Sequence, residues 1–199
     1  MNLHPSSVLF VAGVAVYVGI RAHFRQIARA QKTSVRRSSR RDMSLVMLVG
    51  LCQVVLPLIF VFSPWLDHLN YGLPGAVSVA GVMPLLGGLW LFWRSHTDLG
   101  RSWSVTLELR ENHRLVTEGV YRLIRHPMYA SFFLLALAQA LLLGNWLAGW
   151  SALAAVLLLY VVRVPAEEAM MLSFFGAEYQ SYMRRTGGII PRLWRMHGA

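Results

Sequence analysis

Residues 127–162 read PMYASFFLLALAQALLLGNWLAGWSALAAVLLLYVV, 36 positions without an Asp, Glu, Lys, Arg or His. A helix crosses the hydrocarbon core of a bilayer with about 20 apolar residues. This run is too long for one crossing and about right for two. Gly144-Asn145, near its middle, is a natural turn. The stretch predicts a tight helical hairpin, residues 127–163, with spans at 127–143 and 146–163.

Three shorter apolar runs precede it: Leu3 to Ile20, Met43 to Trp65 and Leu73 to Trp93. Each fits one crossing, giving spans near 3–20, 43–64 and 73–93. Of the 199 residues, 56% are hydrophobic and 14% are charged. An ordinary soluble domain carries about 25% charged residues. The expected fold is all-α, a polytopic integral membrane protein with five transmembrane helices. Residues 1–93 supply three N-terminal spans. Residues 94–199 hold the hairpin, a C-terminal helix and the polar segments.

Charge tests that division. Segments 21–42, 94–126 and 163–199 carry 8, 6 and 5 Lys or Arg, all 19 in the chain. Five spans put these three segments on one side, which the positive-inside rule makes cytoplasmic. The other side receives the N-terminus, Ser63 to Gly72 and Gly144-Asn145. The N-terminus is expected outside and the C-terminus inside. The net charge of +10 then reflects topology and attraction to anionic lipid. Arg36-Arg37-Ser38-Ser39-Arg40-Arg41 resembles a nucleic-acid patch only out of context, and no nucleic-acid partner is expected. The N-terminal run lacks the basic n-region of a signal peptide and is expected to be retained as a first helix. Cys52 is the only cysteine, so no intramolecular disulfide and no cysteine metal cluster can form. No P-loop, dinucleotide fingerprint or metal-ligand pair is present, and no metal is expected.

The external turns are too short to build a site, so the chemistry is expected on the cytoplasmic side. Two segments there flank the hairpin. In the first, Pro127 suits the opening turn of a helix. Arg125 and His126 then stand at a helix N-terminus, where backbone N–H groups and a guanidinium favour an anion. Membrane-interface anchoring by Arg125, His126 and Tyr129 is the plainer alternative. The second segment, Arg163 to Glu168, contains two adjacent carboxylates. About 100° separates neighbouring residues on a helix, so Glu167 and Glu168 face different ways. An exposed acidic helix start after Pro165 is the alternative there. A tight hairpin brings both segments together, with the aromatic-rich stretch Phe174 to Tyr182 available to cover them.

The ordered pattern His113-x-Leu115-Val116-x-x-Gly119-x-Tyr121, then Arg125-His126-Pro127-x-Tyr129, resembles the signature of the isoprenylcysteine carboxyl methyltransferases. Phospholipid N-methyltransferases carry a similar one. Glu167-Glu168-x-x-x-Leu172-x-x-Phe175-Gly176-x-Glu178-Tyr179-x-x-Tyr182, Arg185-Thr186 and Ile190-Pro191 continue the match. Leu99-Gly100-Arg101-Ser102-Trp103-Ser104 resembles the family's upstream element. The resemblance spans roughly residues 95–192 and implies S-adenosylmethionine in a cytoplasmic pocket. The implied cofactor contacts are His113, Leu115, Val116, Gly119, Tyr121, His126, Pro127, Tyr129 and Glu168, with Glu168 accepting from the amino group. Arg125 and Glu167 match the positions implicated in catalysis. Ser131 departs from the pattern, since the family usually has Gly there.

The implied reaction is carboxyl O-methylation of an isoprenylcysteine-like lipophilic substrate entering from the bilayer. A carboxylate is already ionised at neutral pH and asks for alignment more than for a base. An amine or thiol acceptor would need Glu167 as base, which keeps N- or S-methylation of a phospholipid or small molecule as an alternative. A nicotinamide-dependent membrane reductase and a non-catalytic lipid-binding protein are more distant alternatives.

Overall fold

In a computed structural model, the structure describes residues 4–29, 35–36, 40–100, 108–109 and 115–192. It is all-helical apart from one short antiparallel pairing, β1 (Val35–Arg36) with β2 (Glu108–Leu109). The first expected span is α1 (Pro5–Arg29). The second is composite: α2 (Arg40–Gly50), a π-helical turn at Leu51–Val55, then α3 (Leu56–Phe62). Pro57 has no N–H to return to the carbonyl four residues back. At this point the ladder slips, and the Leu56 N–H bonds the Leu51 carbonyl instead. Such π-turns are the usual way a helix absorbs a register change. The third span is also divided, into α4 (Gly75–Ala80) and α5 (Val82–Leu99).

The hairpin forms as its sequence demands. Its arms are α6 (Pro127–Leu142) and α7 (Trp146–Phe175). Asn145 caps α7: its Oδ1 accepts from the Ala148 N–H at 2.9 Å. Its amide nitrogen donates to the Leu66 carbonyl at 2.7 Å and to Asn70 Oδ1 at 2.8 Å. The Tyr71 N–H donates to the Gly144 carbonyl at 2.8 Å. The hairpin turn is thus fastened to the loop between the second and third spans.

α6 lies at the centre, packed between α5 and α7, while α2 packs on α7. Small residues allow the close approach. A Cβ at Gly88 would stand 2.9 Å from Leu135 Cγ. Phe92, Ala136, Ala152 and Val156 are fully buried in the core. Gln139, also fully buried, donates to the Cys52 and Ala148 carbonyls at 2.9 and 2.5 Å.

The helices differ from expectation in their lengths and boundaries. Among the described residues, four helical segments are long and apolar enough to cross a membrane: Pro5–Ile27, Arg40–Phe62, Gly75–Leu99 and Trp146–Phe175. α6, the expected fourth span, has 16 residues, about 24 Å of helix against a core of about 30 Å. α7 also continues 12 residues beyond its expected end, through Pro165. The expected helix 174–182 is therefore divided. Gly176, at φ +54°, ends α7 and begins α8 (Ala177–Arg185).

Candidate active site

The site forms where the Leu123–Pro127 stretch, the distal part of α7 and the residues after α8 meet. Thr186 to Gly188 runs parallel to Leu123–His126. The Arg125 N–H donates to the Gly187 carbonyl at 2.9 Å and the His126 N–H to the Gly188 carbonyl at 3.0 Å. The last N–H groups before α6 are satisfied by the chain's own C-terminal segment.

Five side chains foreseen for the site converge here. Arg125 Nε donates to Glu168 Oε1 at 3.0 Å, and its Nη1 donates to the carbonyls of Thr186 and Met183 at 2.6 and 3.2 Å. His126 is buried, with Nε2 also 3.0 Å from Glu168 Oε1. A carboxylate can only accept, so Nε2 carries the hydrogen of that bond. The Tyr129 hydroxyl donates to Glu167 Oε1 at 2.8 Å. Arg163 Nε lies 2.9 Å from the same oxygen, and His126 Nδ1 lies 3.8 Å from Glu167 Oε2. The imidazole of His126 thus stands between the two glutamates. Of the two glutamates, the one that pairs with Arg125 is Glu168. Two guanidinium groups face two carboxylates, a balance that permits charge to be held with little solvent.

Pro127 is fully buried at the first turn of α6. Gly119 and Tyr121 are supports beneath the cluster. Gly119 has φ +59°, and a Cβ there would overlap the Asp98 carboxylate. Asp98 Oδ2 accepts from the Val120 N–H at 2.9 Å, and Arg94 pairs with its Oδ1 at 2.7 Å. The Tyr121 hydroxyl donates to the Ser95 carbonyl at 3.3 Å, and its own carbonyl accepts from the Tyr182 hydroxyl at 2.6 Å. Burial pushes the Tyr121 and Tyr179 hydroxyls well above their ordinary range, and that of Tyr182 up to about 12. All three are neutral hydrogen-bonding groups at neutral pH. Leu115 and Val116 are half-buried in the stretch entering the Gly119 turn. His113 lies outside the described residues, as do Arg101 to Ser104 of the upstream element. Ser131 is fully buried, and its hydroxyl donates back to the Met128 carbonyl at 2.6 Å.

Beside the cluster is a cavity of about 480 Å³, lined by Arg125, Leu172, Gln180, Met183, Arg184 and Arg192. Arg163 and the Thr186–Gly188 segment carry parts of the arrangement that the motif pattern leaves without a role. For Arg163 a signal existed: it stands four residues before Glu167, the spacing that makes neighbours on a helix. For Gly187 and Gly188 there was none, because their contribution is backbone.

The family model for the isoprenylcysteine carboxyl methyltransferase (ICMT) family matches residues 80–173. That stretch contains α5, α6 and both glutamates of α7. A protein-S-isoprenylcysteine O-methyltransferase of Schizosaccharomyces pombe is 34% identical over 53% of this chain and 46% of its own length. Protein-S-isoprenylcysteine O-methyltransferase B of Arabidopsis thaliana is 29% identical over 74% of this chain and 73% of its own length. The solved structure of the eukaryotic intramembrane Ras methyltransferase ICMT superposes with a TM-score of 0.59 at 23% identity. It covers 96% of this chain and 69% of that one, a likeness of fold.

Proposed function

We propose that this chain is a member of the isoprenylcysteine carboxyl methyltransferase family and an S-adenosylmethionine-dependent membrane methyltransferase that esterifies the carboxylate of an isoprenylcysteine-like lipophilic substrate. One observation carries the reading. Arg125 and His126, at the start of α6, meet Glu168 of α7 at 3.0 Å within the family-matched stretch.

The donor set fits a ligand that bears both an ammonium and a cationic sulfur. Among the described residues, both donors to Glu168 end on Oε1, which leaves Oε2 to accept from an amino group. Tyr129 and Glu167 form a second polar pair on the other side of His126. In this reading Leu115, Val116, Gly119, Tyr121, His126, Pro127, Tyr129 and Glu168 shape the cofactor pocket, with His113. When bound, S-adenosylmethionine supplies a methyl group on a sulfonium leaving group. The chain's task is then alignment. Arg125 has Nε and Nη1 committed to Glu168 and to two backbone carbonyls, so its plane is fixed. A fixed guanidinium edge orients a carboxylate without neutralising it fully. The acceptor carboxylate needs no general base, and Glu167 contributes charge and position. The exposed apolar faces of the helices admit a lipophilic acceptor from the bilayer. We place the active site and the C-terminus on the cytoplasmic side and count α6 as a span, the fourth of five.

The test is a labelled-methyl transfer screen of purified protein over a prenylcysteine analogue, a phospholipid amine and a small thiol. The expected product is a base-labile methyl ester on the prenylcysteine alone. Transfer only to the amine or the thiol would move the chain's reaction to N- or S-methylation.

A further inference from the structure

Three guanidinium groups line the cavity beside the active site: Arg125, Arg184 and Arg192. Arg125 pairs with Glu168. Among the described residues, Arg184 and Arg192 form no ion pair. Arg192 Nη1 donates to the Arg184 and Met183 carbonyls at 2.6 and 3.4 Å, in the last turn of α8. Arg125 Nη1 donates to the same Met183 carbonyl at 3.2 Å. The carbonyl end of a helix attracts cations, so two guanidinium groups are held side by side on one oxygen. A carbonyl is a dipole and leaves their charge uncancelled. With Arg184 on the same wall, the cavity carries surplus positive charge next to the group that orients the acceptor carboxylate.

Leu172 follows Glu168 along α7, farther from the hairpin turn, and α8 comes after it. The cavity therefore lies on the polar side of the site, beyond the apolar hairpin. An acceptor with its carboxylate on Arg125 and its prenyl chain in the bilayer has one end left to place, the polypeptide before the cysteine. The cavity adjoins Arg125 on that side. Its volume of about 480 Å³ falls within the range of about 300–1,000 Å³ typical of sites that enclose small ligands.

We propose that this arginine-lined cavity receives the polypeptide end of the acceptor and selects prenylcysteine peptides with acidic residues before the cysteine over those with basic ones. The inference rests on the methyltransferase reading and on Arg125 as the group that orients the acceptor. Selection comes from attraction of an acidic residue to Arg184 and Arg192 and from repulsion of a basic one, both of which widen the difference between the two peptides.

The experiment measures methyl transfer to three N-acetylated prenylcysteine peptides, with Asp-Asp, Ser-Ser or Lys-Lys before the cysteine, in zwitterionic detergent. Wild type is expected to favour the acidic over the basic peptide in kcat/KM by about 5- to 30-fold at low salt, the scale of one or two partly exposed ion pairs. The ratio should contract towards unity at about 1 M salt, where such pairs are screened. Arg184→Glu should cut the ratio by about fivefold or more, and adding Arg192→Glu should invert it. Because each ratio is taken within one variant, a loss of active protein does not alter it. Arg192 bonds the end of α8, so where the double variant fails to fold by its Tm, Arg184→Glu alone decides. Arg41→Glu, the same charge change at an exposed position of α2, should leave the ratio as in wild type. A wild type indifferent to the upstream residues overturns the proposal, as does a preference that Arg184→Glu leaves intact or that Arg41→Glu reduces equally. A wild type that methylates none of the three peptides refutes the underlying methyltransferase reading, whereas an active one without charge preference refutes the selection alone.

Discussion

Glu168 accepts from Arg125 and His126 at a single oxygen, so its removal strands two donors and takes away the acceptor proposed for the cofactor's amino group. Glu168→Ala is expected to weaken S-adenosylmethionine binding by about 1–3 kcal/mol, the cost of losing a charged hydrogen bond. Titration of a variant with wild-type Tm is the check, and unchanged affinity would exclude Glu168 as that acceptor. Arg125→Lys keeps the charge but cannot span Glu168, Thr186 and Met183 together. Turnover should fall by about 10²-fold or more, and because Arg125 touches Glu168, some cofactor affinity should go with it. Normal turnover in the Lys variant would show that planar geometry is not required. The residues of this cluster were legible in the sequence as Arg-His-Pro and Glu-Glu flanking one hairpin. Their pairing was not. Neighbouring residues differ by about 100° around a helix, so which glutamate meets Arg125 depends on the rotation of α7 beyond Pro165. That rotation is set by packing, which does not appear in a motif. Gly119 shows the opposite case. It stands in the motif and adopts φ +59°, but what fills the space of its missing side chain is Asp98, 21 residues earlier.

The elements were read well where apolar length alone decided them, and less well where proline or glycine acts through geometry. The hairpin turn at Gly144-Asn145 is as expected, because a long apolar run without a break must turn where polar and flexible residues allow. α7 was expected to stop near Arg163, with Pro165 lying beyond it. The helix continues because packing on α6 and α2 outweighs one lost hydrogen bond. α8 presents Tyr179 and Tyr182 inward while Gln180 and Arg184 face outward. This element carries a pH prediction. Burial raises the folded-state titration of Tyr182 to about 12 and moves Tyr121 and Tyr179 in the same direction. Above pH about 10 the unfolded chain releases these protons while the folded chain keeps them. Stability from these groups is therefore complete below pH 10 and declines as pH rises through the folded values. Stability should fall between pH 10 and pH 12, by at most about 1.4 kcal/mol per pH unit for each tyrosine, and Tm in detergent should fall with it. Tyr182→Phe should lower Tm at pH 8, because the Tyr121 carbonyl loses its donor, and should flatten the alkaline slope. An unchanged slope in that variant would mean that Tyr182 is not protected from ionisation.

At the scale of the molecule the question is whether α6 counts as a crossing. By length and composition it falls short, with 16 residues where its neighbours have more than 20. Three observations favour a crossing. The turn at one end of α6 is bonded to the loop between the second and third spans, through Tyr71 to Gly144 and Asn145 to Leu66 and Asn70. That end of α6 therefore shares a side with Ser63–Gly72, which carries no Lys or Arg. From Asn145, α7 runs about 33 Å along its axis before it reaches Glu167, which is the thickness of a bilayer core. The glutamates meet Arg125 and His126 at the other end of α6. Finally, a central helix covered by α5 and α7 has little lipid contact and need not match the bilayer by itself. If α6 did not cross, segment 163–199 and its five arginines would share a side with Ser63–Gly72, against the positive-inside rule. The two topologies differ at accessible positions. Trp65, in the Ser63–Gly72 loop, and Gln180, on the outer face of α8, are both exposed. In a Cys52→Ala background, Trp65→Cys should react with a membrane-impermeant maleimide on intact cells. Gln180→Cys should react only after the membrane is opened. Five crossings require opposite sides for these two cysteines and four require the same side, so labelling of both on intact cells would remove α6 from the spans and the active site from the cytoplasm.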